Sequence, residues 1–143
     1  VQWLREHENY SADIVVWLRP TTPFRNTDDI SGAVKILQDT RADSVRSVCA
    51  VEHHPYWMKS LEKDRLTPFI EGADETKYFR RQLLPTVYRL NGAVDVVPVS
   101  TPLQRSVLFS GDMRGYVMPL DRSVDIDTEA DFEYAEFLMQ RKK

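Results

Sequence analysis

The stretch ADIVVWLRPTTPFRNTDDISGAVKILQDTRADSVRSVCAV, residues 12–51, contains the pattern that decides the fold. Residues 12–18 are mostly apolar and β-branched, which is typical of a strand covered on both faces. Residues 27–29 provide a helix start with acidic side chains in the first turn. One apolar helical face follows, formed by Ile30, Ala33, Val34 and Leu37. Residues 44–51 read as a second strand, so strand, helix and strand predict a βαβ unit and a parallel sheet.

Two further elements flank this unit. Residues 1–10 read as the tail of a helix. Residues 56–70 combine two aromatic-rich strand patterns with a polar turn and predict a β-hairpin. The hairpin has too few core-facing residues to be stable alone. We therefore expect it to project from the domain and to pack on a second copy of the chain.

The C-terminal half predicts a strand at residues 93–97, preceded by a sharp turn at Asn91-Gly92. A helix is expected to start at Ser100 and to stop at Gly111, and a short strand at residues 115–119 should follow. Thr128 is the predicted cap of a last helix. The expected buried face of that helix comprises Phe132, Ala135, Leu138 and Met139.

Composition limits the class of protein. The 143 residues are most simply one domain, and a net charge of −3 argues against nucleic-acid binding. Cys49 is the only cysteine, which excludes an internal disulfide and suits a cytoplasmic location. The longest apolar run, residues 14–18, is too short to cross a membrane, and no signal peptide is visible. Because Val1 lies in mid-helix, we expect that an N-terminal portion is missing.

Residues 80–93, RRQLLPTVYRLNGA, interleave three arginines with apolar side chains. Arginine grips a carboxylate or a phosphate with two parallel hydrogen bonds. The stretch therefore predicts an anion-binding loop that leads into a strand. An ordinary surface loop explains this stretch equally well when it is considered alone.

Asp125-Ile126-Asp127 is the clearest chemical signal. In an extended segment both carboxylates face one side while Ile126 faces the core. Two hard oxygen ligands at this spacing suit Mg²⁺ or Mn²⁺. The alternative is an acidic cluster that balances the dipole of the following helix.

Two other groups of polar residues are candidate sites. Arg19, Thr21 and Thr22 follow a predicted strand, where open α/β sheets bind ligands, although a stiff connecting loop explains them as well. His53-His54 offers too few ligands for a metal, so a packing role is expected.

Four motifs together resemble one family: LRPTTPFR at residues 18–25, RQLLP at 81–85, RLNGA at 89–93 and SVDIDT at 123–128. In this order and spacing, from about residue 12 to residue 136, the chain resembles the CMP-sialic acid synthetases. These are the N-acylneuraminate cytidylyltransferases and their relatives that act on other nonulosonic acids.

The resemblance implies a magnesium-dependent nucleotidyl transfer in which the anomeric hydroxyl of a sugar acid attacks the α-phosphorus of CTP. It implies an α/β fold with a Rossmann-like, three-layer, GT-A-like nucleotidyltransferase sheet, truncated at the N-terminus. Residues 1–143 would be a single partial cytidylyltransferase-like domain, with the arm and sugar-side loop inserted at residues 52–90. The hairpin is similar to the family's dimerisation arm, which implies a homodimer.

The resemblance also assigns residue roles. Asp125 and Asp127 would hold Mg²⁺ (or Mn²⁺) and, with Arg81, carry the catalysis. Arg81 and Arg89 would engage carboxylate or phosphate oxygens, and Gln82 and Asn91 would read hydroxyl and acyl groups. The implied substrate-binding set is Arg19, Thr21, Thr22, Arg81, Gln82, Arg89, Asn91 and Asp95.

Three positions depart from the family pattern. Arg19 stands where many members have glutamine, Trp57 replaces a common lysine, and Asp95 replaces a common aromatic residue. A legionaminate-like acid or another nonulosonate is therefore as good an expectation for the substrate as N-acetylneuraminate. The family's first strand and its basic, glycine-containing phosphate loop are expected to lie outside this chain.

Two alternatives remain open at this point. One is a catalytically inactive, dimeric sugar-acid-binding or structural remnant of the family. The other is a glycosyltransferase that uses Asp125-Ile126-Asp127 as its metal motif, although the sequence shows no acceptor site for such an enzyme.

Overall fold

The computed structural model describes residues 1–101, 109 and 111–141. The helices are α1 (Gln2–Glu8), α2 (Thr27–Thr40) and α3 (Glu129–Arg141). The strands are β1 (Ile14–Trp17), β2 (Ser44–Ala50), β3 (Lys59–Glu62), β4 (Arg65–Pro68), β5 (Tyr88–Pro98) and β6 (Met113–Val117). Short 3₁₀ turns lie at Pro55–Trp57, Arg81–Leu83 and Leu120–Arg122. Most of the helix expected after Ser100 falls on residues 102–108, outside the described residues.

Helix α2 starts where the sequence predicts. Asn26 is its N-cap: its side chain accepts the Asp29 N–H at 3.0 Å, and the Asp29 carboxylate accepts the Asn26 N–H at 2.9 Å. This reciprocal capping box satisfies two backbone donors that a helix start leaves open. Ala33 and Leu37 of the predicted apolar face are buried against the sheet.

The main sheet has the strand order β1-β5-β2-β6. β2 and β6 are parallel, starting from Ser44 opposite Met113, whereas β1 and β5 are antiparallel, starting from Ile14 opposite Pro98. The sheet is therefore mixed, and the prediction of a parallel sheet is wrong. The βαβ pattern correctly identified β1, α2 and β2, but β5 inserts between the two strands and reverses direction there.

β5 is the central strand. Every residue of β5 from Asn91 to Val97 is buried, and Val94 and Val96 join the core that α2 covers. β1 has one partner among the described strands, and its Trp17 is 54% exposed. The expectation that residues 12–18 form a strand covered on both faces is therefore wrong. Coverage on both faces is found in β5, because successive side chains of a strand point to opposite faces and all those from Asn91 to Val97 are buried.

Gly92 lies inside β5 with φ +67°. The sequence predicted a sharp turn at Asn91-Gly92 before the strand. The positive φ is present, but the strand continues through it, so the predicted turn is wrong. Glycine adopts this conformation without the steric cost that a side chain would impose.

Helix α3 begins at the predicted cap. The Thr128 hydroxyl donates to the Asp131 carboxylate at 2.7 Å, and the Thr128 N–H does so at 2.8 Å. Of the expected buried face, Ala135 is buried and Leu138 is half-buried. Phe132 and Met139 are exposed, so that part of the prediction is wrong. Helical spacing fixes which residues share a face, but not how much of the face is covered.

The chain divides into two compact units. The first comprises Val1–Cys49 and Leu90–Lys143, and the second comprises Ala50–Arg89. The second unit contains the predicted hairpin, formed by β3 and β4 with Leu61 opposite Leu66. The role of this hairpin as a dimerisation arm stays a prediction. Within the described residues, no helix combines the length and apolar character that a membrane crossing requires.

Candidate functional site

Asp95 on β5 is the centre of a charged cluster in the first unit. Its carboxylate is 3% exposed and accepts two hydrogen bonds from Arg46 on β2, from Nε at 3.0 Å and from Nη2 at 3.4 Å. Nη2 of Arg19 lies 3.8 Å from the same carboxylate. Two guanidinium groups therefore share one buried carboxylate, and the cluster keeps a net charge of +1.

A cavity of about 330 Å³ opens beside this cluster and is lined by Trp17, Arg19, Asp95 and Phe109. The ring centre of Phe109 lies 4.1 Å from the Arg46 guanidinium carbon, a cation–π contact. Arg19 and Asp95 belong to the predicted substrate-binding set, whereas Arg46 and Phe109 were not predicted. Arg46 was missed because its charge interrupts a strand pattern, and that interruption was the available signal.

The loop after β1 is held by Arg25. The Arg25 guanidinium donates to the backbone oxygen of Arg19 at 2.7 Å and to that of Thr22 at 2.6 Å. Thr22 is fully buried, and its hydroxyl donates to the Arg19 backbone oxygen at 3.2 Å. Thr21 is exposed, while its backbone oxygen accepts the Ile126 N–H at 2.9 Å. Of the two predicted threonines, Thr21 is the one with an exposed side chain.

Asn91 lies inside the sheet. Its amide oxygen accepts the Ser47 hydroxyl at 2.6 Å, and its amide nitrogen donates to the Ser123 hydroxyl at 2.8 Å. The side chain is 2% exposed. This placement contradicts the expected role of Asn91 in reading a sugar hydroxyl or acyl group, because both ends of the amide already have protein partners. Asn91 instead connects β5 with β2 and with the segment that precedes Asp125.

Asp125 and Asp127 are not placed alike. The segment at residues 123–127 has no regular secondary structure, Asp125 is half-buried and Asp127 is exposed. The expected common face of Asp125 and Asp127 stays a prediction. Oδ1 of Asp125 is buried and has no hydrogen-bond partner among the described residues.

The donor set at this segment fits a hard cation. A buried carboxylate oxygen without a partner costs free energy, and a bound cation would satisfy it. In the described part of the chain, no group of three or more His, Cys, Asp or Glu side chains is placed to hold a metal. Mg²⁺ commonly uses one or two protein carboxylates and completes its shell with water and substrate phosphates. Asp125 and Asp127 meet that requirement. Asp131 is engaged by the Thr128 cap and by the Asp127 N–H.

The second unit contains a smaller cavity of about 170 Å³. Its walls are partly apolar, and its polar side chains include Glu52, His54, Arg81 and Thr86. Trp57 also lines it, and its indole N–H donates to the Tyr78 backbone oxygen at 2.8 Å. Arg81 is exposed at this cavity, as expected for an anion-binding side chain. Gln82 is exposed but does not line the cavity.

His54 supports this cavity. Its Nε2 lies 3.1 Å from the Pro85 backbone oxygen, and its Nδ1 accepts the Tyr56 N–H at 3.1 Å. Nδ1 of His54 thus faces a donor, and Nε2 faces an acceptor. The packing role expected for the His53-His54 pair agrees with the position of His54.

Arg89 pairs with Glu52 in the second unit. Its Nε and Nη2 lie 3.3 Å and 3.4 Å from the two Glu52 carboxylate oxygens. The hydrogen bond from Arg89 holds the pKa of Glu52 below its ordinary value. Arg89 is thus engaged by a protein carboxylate, whereas its predicted role was to bind a substrate oxyanion.

Comparison with known proteins identifies homologues over most of the chain. An N-acylneuraminate cytidylyltransferase of Streptococcus agalactiae serotype V is 32% identical over 117 residues, which are 82% of this chain and 28% of that protein. CMP-N,N'-diacetyllegionaminic acid synthase of Legionella pneumophila is 27% identical over 129 residues, 90% of this chain and 54% of that protein. The chain thus spans less than a third of the first relative and about half of the second. No family model matches the chain.

A solved structure supports the fold. CMP:2-keto-3-deoxy-manno-octonic acid synthetase in complex with CTP matches with a TM-score of 0.63 and 14% identity, covering 99% of this chain and 68% of that one. The α/β architecture with a mixed sheet is therefore shared with that synthetase. The resemblance proposed from the four sequence motifs is confirmed by these comparisons.

Proposed function

We propose that this chain, a homologue of nonulosonate cytidylyltransferases over most of its length, transfers CMP from CTP to a nonulosonic acid. The observation that carries the proposal is the match to the Streptococcus agalactiae and Legionella pneumophila proteins over 82% and 90% of this chain. Because the chain spans only part of each relative, the complete reaction is part of this proposal.

In the proposed reaction the anomeric hydroxyl oxygen of the sugar acid attacks the α-phosphorus of CTP. A new oxygen–phosphorus bond forms, the bond between the α-phosphorus and the bridging oxygen breaks, and pyrophosphate leaves. The hydroxyl proton passes to a base or to solvent. The reaction concentrates negative charge on phosphate oxygens, so cationic groups must lie close to them.

Asp125 and Asp127 are proposed to hold Mg²⁺ or Mn²⁺. The buried, unpartnered oxygen of Asp125 supports this assignment. A divalent cation supplies charge neutralisation on the phosphates when it is bound. The chain's own contribution is orientation: the Ile126 N–H bonds to the Thr21 backbone oxygen at 2.9 Å, and this bond fixes the backbone between the two carboxylates.

Arg81 is proposed to bind carboxylate or phosphate oxygens of the substrates at the cavity of the second unit. Its planar guanidinium can donate two parallel hydrogen bonds to a carboxylate. The partly apolar lining that includes Trp57 and Leu84 suits the carbon skeleton of a sugar. A homodimer formed through the hairpin and a cytoplasmic location are parts of the same proposal.

The test is release of pyrophosphate from CTP in the presence of a nonulosonic acid and Mg²⁺. It is run on this chain and on a form extended at the N-terminus by the strand and phosphate loop that the resemblance implies. We expect the extended form to produce a CMP-sugar, identified by mass spectrometry. An extended form that binds CTP and the sugar acid yet releases no pyrophosphate would favour the inactive sugar-acid-binding alternative.

A further inference from the structure

In the Arg46–Asp95–Arg19 cluster the two arginines contact Asp95 at different distances. Arg46 is 14% exposed and takes both oxygens of Asp95 at hydrogen-bonding distances. Arg19 is 44% exposed and approaches one oxygen at 3.8 Å, beyond the length of a hydrogen bond. Asp95 therefore attracts the Arg19 guanidinium without consuming its N–H donors. Arg46 neutralises the buried carboxylate, and the remaining positive charge is that of Arg19.

Arg19 is also fixed at its backbone. Its carbonyl oxygen accepts the Arg25 guanidinium at 2.7 Å and the Thr22 hydroxyl at 3.2 Å. The side chain then runs across Gly92 of β5. A Cβ at that position would lie 3.1 Å from Nη1 of Arg19, closer than most real Cβ contacts. The glycine thus leaves room for the guanidinium to reach Asp95.

The cavity beside Arg19 has aromatic walls. Trp17 and Phe109 line it together with Arg19 and Asp95. Phe109 also lies over the Arg46 guanidinium and so shields the Arg46–Asp95 pair from water. The cavity therefore offers one cationic group and apolar surfaces, which suits an oxyanion on a body with a flat or apolar face.

We propose that Asp95 is a positioning residue, which holds the Arg19 guanidinium at the cavity of Trp17, Arg19, Asp95 and Phe109 to bind a ligand oxyanion. The oxyanion is the carboxylate of a sugar acid or a phosphate of a nucleotide. The inference rests on the proposed function only for the choice of these two ligands. In the sequence-based assignment Asp95 was a direct substrate contact, whereas here it acts through Arg19.

Equilibrium binding without any metal ion tests the site. Calorimetric titrations of the chain use N-acetylneuraminate as the carboxylate probe, its neutral methyl ester as the control ligand, and CTP as the phosphate probe. We expect the acid or CTP to bind, and Arg19→Gln to weaken that binding by about ten- to a hundredfold, the range expected for charged hydrogen bonds. If the acid is the ligand, its methyl ester should bind at least about tenfold more weakly than the acid, for the same reason.

The positioning role is tested by a variant that keeps the charge of the site. Arg46→Gln with Asp95→Asn removes one positive and one negative charge, so the cavity stays at +1 while Arg19 loses its anchor. We expect binding to weaken by about three- to tenfold, the cost of ordering a free side chain on binding. The control, Asp112→Asn with Arg114→Gln, removes an exposed ion pair of the same type elsewhere and should leave affinity unchanged.

Three results would overturn the inference: no binding of either probe, equal binding by the Arg19→Gln variant, or unchanged affinity when Arg46 and Asp95 are both replaced. If that double variant does not fold, Arg46→Gln alone leaves Asp95 free to capture Arg19 and must weaken anion binding at least about tenfold. Unchanged affinity there also overturns the inference. Because no turnover is measured, failure here is distinct from failure to release pyrophosphate.

Discussion

The Ser47 hydroxyl on β2 donates to the Asn91 amide oxygen on β5 at 2.6 Å. The same hydroxyl accepts the Val94 N–H at 2.8 Å. Both side chains are buried between neighbouring strands of the sheet. Asn91, which was expected to face a sugar, is therefore part of the interior of the sheet.

Asn91→Ala should therefore act on stability. It leaves the Ser47 hydroxyl without its acceptor and removes the donor to Ser123, so we expect a loss of about 2–4 kcal/mol in the free energy of unfolding. Gln82→Ala is the matched control, because Gln82 is exposed. Urea denaturation followed by circular dichroism measures both. Equal stability of the two variants would contradict the structural role of Asn91.

Asp29 should make the fold sensitive to acid. Burial alone raises the pKa of Asp29, but hydrogen bonds from Arg122 and from the Asn26 N–H outweigh it and hold that pKa below the ordinary value of 3.8. A lowered folded-state pKa means that the carboxylate stabilises the fold above the ordinary value. That contribution is lost as the pH falls through the folded-state pKa.

Arg122→Gln tests this dependence. Arg122 donates to both oxygens of Asp29, at 2.8 Å and 3.0 Å, so its removal should raise the pKa of Asp29 relative to the wild type. We expect the midpoint of acid unfolding to move to higher pH. Circular dichroism between about pH 2 and pH 7 measures it, because this range includes the pH values at which carboxyl groups titrate. Arg114→Gln, which removes an exposed arginine, should not move the midpoint.

Asp125→Asn should have two separate effects, one on stability without metal and one on the rise in Tm that a metal causes. Without metal the variant is expected to be as stable as the wild type or more stable, because it removes a charge from a buried, unpartnered position. With Mg²⁺ or Mn²⁺ the wild type should show a rise in Tm that the variant lacks. Asp121→Asn, an exposed neighbour, is the control. A metal-dependent rise in Asp125→Asn would contradict the assignment.

Asp127→Asn should abolish pyrophosphate release by the N-terminally extended form and leave its Tm unchanged, because Asp127 is exposed. The measurement is initial rate against Mg²⁺ concentration, together with a thermal melt. Retained activity in this variant would remove Asp127 from the proposed metal site.

Arg81 and its neighbour Arg80 offer a matched pair. Arg81 lines the cavity of the second unit, whereas Arg80 packs beside Phe79, with the guanidinium carbon 5.1 Å from the ring centre. We expect Arg81→Gln to weaken sugar-acid binding by about tenfold or more, and Arg80→Gln to leave it unchanged. Calorimetry with the sugar acid distinguishes them. Equal effects would indicate a general charge contribution without a defined site.

The hairpin should control oligomeric state. Leu61 and Leu66 face each other across β3 and β4, and both are exposed. Replacing both with glutamate should yield a monomer in analytical ultracentrifugation if this surface forms the predicted dimer. Ser60→Glu with Thr67→Glu, the adjacent register pair, is the control for added charge. A wild-type monomer at micromolar concentration would contradict the prediction.

Local sequence signals predicted much of the chain. The start of α2 at residues 27–29, the apolar face with Ala33 and Leu37, and the Thr128 cap are determined by neighbouring residues, and the structure contains all of them. The four motifs also led to the same group of proteins that the comparisons identify as similar. These features depend on short-range chemistry that a single sequence records directly.

Long-range placement was less predictable. The insertion of β5 between β1 and β2 depends on which strand pairs with which, and the apolar pattern of residues 93–97 is the same in either direction. Arg46 reads as a break in an apolar strand until Asp95 is brought beside it. Asn91 reads as a turn residue until its partners Ser47 and Ser123 are known.

The pairing of β1 with β5 has a consequence for the order of events during synthesis. Ile14 pairs with Pro98, and the difference 98 − 14 gives a sequence separation of 84 residues. β1 therefore cannot form its pairing with β5 until the last residues of β5 have left the exit tunnel of the ribosome. Contacts of such high contact order form slowly, and until they form the apolar side chains of β1 lack their neighbours on β5.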